Sequence, residues 1–136
     1  MKPIREVYPD TGYGYFSVGD YNPLLESFGY EILLQVDDDD YQGDSRLLFR
    51  NGERYGVLIF GWGSCSGCDA LQACDTYEEV DDLRHQLEGE IVWGTREETL
   101  AYIKGKDWAG TFIWHADETK EFLDEAVKLL EEDDPS

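Results

Sequence analysis

Apolar and polar positions along the chain change their period part-way. Tyr30-Glu31-Ile32-Leu33-Leu34-Gln35-Val36 is a short β-prone run that ends at an aspartate cluster, Asp37 to Asp40. Two more such runs follow, Ser45 to Arg50 and Arg54 to Phe60, joined by Asn51-Gly52. Asn-Gly between apolar runs is the strongest short hairpin signal, because both residues tolerate positive φ. Three consecutive antiparallel strands are therefore expected. Beyond Cys65 the spacing turns helical. Thr76 and Glu79 have capping-box spacing, followed by Val80, Leu83 and Leu87, with Gly89 as the stop. Glu90 to Trp93 reads as a strand. Thr95 and Glu98 repeat the capping box ahead of Leu100 and Ile103, stopped by Gly105, and Thr111 to Trp114 reads as a last strand. Asp117 is the expected cap of a final helix striped by Phe122, Leu123, Ala126, Val127, Leu129 and Leu130. Glu118, Glu121, Asp124, Glu125 and Glu132 fill its other face.

This order predicts an α+β fold: a mostly antiparallel sheet packed with two or three amphipathic helices. The chain's 136 residues fit one domain, 1–136, and no linker or internal repeat interrupts it. Residues 1–29 are rich in Tyr and Gly and are expected to be irregular, with turns and at most one short strand; residues 131–136 read as an acidic tail.

Charge narrows the function. The chain carries 31 acidic and 11 basic residues, a net −20, yet 41% of it is hydrophobic, enough for a core. Of the acids, 20 fall in residues 69–136 against 6 bases. Direct nucleic-acid binding is disfavoured, because phosphates would be repelled. The apolar run Gly56 to Trp62 is too short to span a bilayer, and Met1 to Glu6 lacks a signal-peptide core, so a cytoplasmic protein with no membrane role is expected. Crowded carboxylates oppose folding. They suit either solubility or attraction to a basic partner. Duplex DNA presents one charge per roughly 1.7 Å, and a helix rich in Glu and Asp can imitate it. The expected contacts are Glu78, Glu79, Asp81 and Asp82, with Asp124, Glu125, Glu131 and Glu132 as a second face.

The three cysteines fall within ten residues: Cys65-Ser66-Gly67-Cys68, then Cys74. A C-x-x-C after a strand and before a helix suits a thioredoxin-like dithiol using Cys65 and Cys68. That family places a cis-proline opposite the dithiol, and no proline occurs between residues 24 and 134. A structural zinc site needs four Cys or His ligands. His85 stands nine residues beyond the Thr76 cap, roughly 13 Å along a helix, too far to share an ion with Cys74. His115 approaches from elsewhere, so Cys65, Cys68, Cys74 and His115 are the expected ligands. One uninterrupted helix would separate Cys68 from Cys74 by about 9 Å, so a bent turn between them is required. Three buried, reduced cysteines are the bland alternative.

Catalytic signals are weak. Asp37 to Asp40 lacks EF-hand spacing, Gly61-Trp62-Gly63-Ser64 is not a nucleophile elbow, and two histidines offer few general bases. No enzyme is expected.

The block Gly63-Ser64-Cys65-Ser66-Gly67-Cys68-Asp69-Ala70-Leu71-Gln72-Ala73-Cys74, with Trp114-His115, resembles small proteins of phages and mobile elements. Small size, acidity and a cysteine knuckle together resemble zinc-binding anti-CRISPR inhibitors. The resemblance implies a DNA-mimicking counter-defence inhibitor in an infected bacterial host, holding structural zinc and binding the basic surface of a CRISPR effector nuclease. A dithiol oxidoreductase, or an accessory protein whose acidity only confers solubility, are the alternatives.

Overall fold

The structure is a computed structural model that describes residues 3–8, 21–38, 43–62, 70, 71, 73, 74, 76–105 and 116–132. The three expected strands are present as β1 (Glu31–Asp37), β2 (Gly43–Asn51) and β3 (Arg54–Trp62), followed by β4 (Val92–Gly94). They form one antiparallel sheet in the order β1-β2-β3-β4. The β2–β3 hairpin turns on Gly52 and Glu53, one residue later than Asn51-Gly52 suggests, because Asn51 still pairs with Arg54. Gly52 has φ 65°, a backbone state that favours glycine, at the first loop position.

Helices cover both faces of this sheet. α1 (Ile4–Val7), α2 (Asn22–Glu26) and α3 (Tyr77–Gly89) lie on one side, and α4 (Arg96–Gly105) and α5 (Ala116–Glu132) on the other. Alternation along the central strands feeds two cores. Leu47, Phe49, Leu58 and Phe60 meet Leu24, Leu25, Phe28, Val80, Leu83 and Leu87. Leu48, Tyr55 and Val57 meet Ile103, Phe122, Ala126 and Leu130. Burial from both sides explains why Ser45 to Phe49 is buried at every position instead of every second one. A bulge between Ile32 and Leu34 turns Leu33 and Leu34 together toward the α5 side.

Residues 1–29 require a correction. Among the described residues they hold two short helices and no strand, and Leu24, Leu25 and Phe28 are core residues. Pro23 starts α2, but one turn is too short to display a helical period. Asp117, the expected cap, sits inside the first turn of α5, and Glu131 and Glu132 are helical; the rest of the expected acidic tail, 133–136, lies outside the described residues. The expected strand at Thr111 to Trp114 lies outside the described residues. Among the described residues no helix is long and apolar enough to cross a membrane.

Candidate partner-binding faces and the cysteine segment

The acidic face of α3 follows from how that helix is pinned. Thr76 takes an extended conformation, and its hydroxyl accepts from the Glu79 N–H at 3.2 Å. Val80, Leu83 and Leu87 then point into the core, which turns Glu78, Glu79 and Asp82 to solvent. At about 100° per residue these three carboxylates share roughly 100° of arc. Glu78 and Glu79 also lie in the first turn, where the helix dipole favours negative charge. The helix's single arginine is folded inward. Arg84 is only 5% exposed; it donates to the Asp81 carboxylate at 2.5 Å and to the Ser27 hydroxyl at 3.4 Å. Asp81, expected to meet a partner, is thus half-buried and ion-paired instead. An acid three residues ahead of a buried arginine is the nearest place for its countercharge. His85 is exposed, with Nδ1 2.8 Å from the Asp81 carbonyl oxygen.

The second candidate face differs. Asp124, Glu125, Glu131 and Glu132 are all exposed on α5, but Lys120 and Lys128 stand exposed on the same helix. The Lys104 ammonium lies 3.1 Å from the Glu131 carboxylate, and Arg96 donates to the Leu130 carbonyl at 3.2 Å. Negative charge on α5 is therefore interleaved with cations, whereas on α3 it is not. The two faces also lie on opposite sides of the sheet. One flat partner surface cannot meet both.

Of the expected zinc ligands, Cys65, Cys68 and His115 fall outside the described residues. Cys74 is 7% exposed and packs with Leu71 and Val80. Its N–H donates to the Leu71 carbonyl at 3.1 Å and its thiol to the Ala70 carbonyl at 3.3 Å. Leu71 is held in turn by its N–H to the Tyr21 hydroxyl at 3.2 Å. Cys74 therefore ends a tight turn that starts at Leu71. Among the described residues no three metal-ligating side chains gather. A βαβ setting for a dithiol would need a parallel strand pair; all described pairs are antiparallel.

Two buried polar networks escape a reading of local sequence. Arg46, inside the apolar β2 run, meets Asp38 at 2.7 Å and donates through Nε to the Thr119 hydroxyl at 3.1 Å. Asp38 also accepts from the Asp44 N–H at 2.7 Å, closing the base of the β1–β2 connection. Arg84 and Ser27 tie α3 to α2 in the same manner. The available signal was the position of Arg46, two residues before Leu48 and so on the same core-facing side.

No family model, curated protein or solved structure matches this chain. Its function has to come from its own chemistry.

Proposed function

We propose that this protein is a non-catalytic, acidic binding module that covers the basic, nucleic-acid-handling surface of a partner. The α3 face is the contact, and an anti-CRISPR inhibitor of a CRISPR effector nuclease is the specific form of the proposal. The observation that carries it is the exposure of Glu78, Glu79 and Asp82 on one arc of a helix whose only arginine is buried. Among the described residues none of these three carboxylates is in an ion pair, which leaves their charge available where a phosphate run would lie. Charges of this kind raise the association rate and make binding sensitive to salt.

Structural zinc belongs to the same proposal. Cys65, Cys68, Cys74 and His115 would hold it in a closed site, fixing the segment that leads into the Thr76 cap. What supports this is the turn that brings the Cys74 N–H to the Leu71 carbonyl, a bend in the stretch that leads to the third cysteine. A closed thiolate-rich site stabilises a fold and leaves no open position for chemistry.

Pull-down of a CRISPR effector nuclease at low and high salt tests the proposal. Capture that weakens with salt is expected; no capture at any ionic strength removes it.

A further inference from the structure

The β2–β3 turn carries chemistry of its own, independent of the α3 face. Asn51, Gly52, Glu53 and Arg54 are all exposed there. Asn51 ends β2 paired with Arg54, and Gly52 follows with φ 65°. The space beside Gly52 is open: a Cβ added to it would touch nothing within 4 Å. The Arg50 Nε donates to the Gly52 carbonyl at 3.1 Å. Among the described residues, neither the Asn51 carboxamide nor the Gly52 N–H has a hydrogen-bond partner. The glycine nitrogen, with no side chain on its own residue to obstruct it, is thus a nucleophile next to its electrophile. The chain's other asparagine, Asn22, lacks that nucleophile because Pro23 has no N–H.

We propose that Asn51 is a self-modification site, at which the folded hairpin converts asparagine to aspartate and isoaspartate. Base removes the Gly52 amide proton, and the nitrogen forms a bond to Asn51 Cγ. The Cγ–Nδ2 bond breaks, and Nδ2 leaves as ammonia with a proton from water. Water then opens the cyclic imide. Cleaving the bond from the Gly52 nitrogen to Cγ gives aspartate; cleaving its bond to the backbone carbonyl carbon gives isoaspartate. Either product puts a carboxylate next to Arg50 in sequence and opposite Arg54 across the hairpin. Isoaspartate also routes the backbone through Cβ, which lengthens β2 at its last residue and makes the turn a substrate for isoaspartate carboxyl methylation.

Peptide mapping by mass spectrometry after incubation in mildly alkaline buffer tests this. The folded wild type and Asn51→Gln are incubated beside wild type unfolded in urea, until half of the unfolded sample has reacted. The folded wild type is expected to show both products at position 51, with isoaspartate confirmed by enzymatic carboxyl methylation of that peptide. Urea too dilute to unfold the chain should leave the rate unchanged, because the turn reacts in place. Asn51→Gln should lose the methyl acceptor in that peptide, since the longer side chain closes the ring poorly. An intact Asn51 in the folded sample, or a rate that climbs with dilute urea, overturns the proposal.

Discussion

Asp38 and Arg46 form an ion pair whose two side chains are fully shielded from water, with 2.7 Å between oxygen and nitrogen. Burying both charges is costly, and they offset that cost through each other and through Asp44 and Thr119. Removing one member leaves the other charge stranded in the interior. Asp38→Ala should therefore cost about 3–5 kcal/mol in urea unfolding. The double variant Asp38→Ala/Arg46→Met should recover much of that loss. A single variant that costs under about 1 kcal/mol would contradict the shielding of this pair.

Gly56 pairs with Trp93 of the neighbouring strand β4, and the Ile91 and Trp93 side chains crowd the position a Cβ would take. A Cβ there would lie 2.5 Å from Ile91 Cγ2 and 2.9 Å from Trp93 Cε3. Gly56→Ala forces both side chains aside and should cost about 1–3 kcal/mol, read as a lowered Tm. An unchanged Tm would mean that β4 does not press on β3.

Thr99 is 3% exposed, and its hydroxyl has no hydrogen-bond partner among the described residues. Valine has nearly the same shape without the buried hydroxyl. Thr99→Val should be neutral or stabilise by up to about 1 kcal/mol, an unusual outcome for a core substitution. Clear destabilisation in urea would show that the hydroxyl does find a partner.

The Tyr30 hydroxyl donates to the Glu88 carboxylate at 2.8 Å. That hydrogen bond, with burial and the nearby negative charge, raises the phenol above its ordinary value of 10.0. The folded state thus holds this proton more tightly than the unfolded chain does. The contribution is complete below pH 10 and disappears as pH rises through the folded value. Tyr30→Phe should lower stability at neutral pH and flatten its decline in strong alkali. Parallel alkaline profiles for the two proteins would count against the bond. At the acid end, the Thr95 backbone and hydroxyl hold the exposed Glu98 carboxyl below its usual range. Its share of stability is complete above the ordinary carboxyl value of 4.5 and is lost as pH falls from there through the lowered one.

Much of this architecture is legible in the chain because local signals agree. The Asn51-Gly52 turn, the two capping boxes at Thr76 and Thr95, and the stripe from Phe122 to Leu130 locate elements within a residue or two. What escapes is tertiary. α2 is one turn long and shows no period, so Leu24, Leu25 and Phe28 look like loop residues until the sheet covers them. The helices divide between the two faces of the sheet, which separates the acids of α3 from those of α5. Charge clusters in sequence do not reveal which acids are spent on internal cations. Asp81 goes to Arg84 and Asp38 to Arg46, and only their partners' burial shows it.

Elemental analysis of protein purified without added metal addresses the cysteines. About one zinc per chain is expected, lost together with thermal stability in Cys74→Ser, since closed cysteine sites contribute directly to folding. Metal-free protein with an unaltered melting profile would leave Cys74 as a buried apolar side chain and remove zinc from the account.

The central claim is that the α3 carboxylates stand in for nucleic-acid phosphates. Competition between this protein and duplex DNA for a CRISPR effector nuclease, measured across a salt series, tests it most directly. DNA should be displaced at low salt, and Glu78→Gln/Glu79→Gln/Asp82→Asn should weaken displacement and flatten its salt dependence. Displacement undiminished in the triple variant, or none by the wild type at any ionic strength, would contradict it.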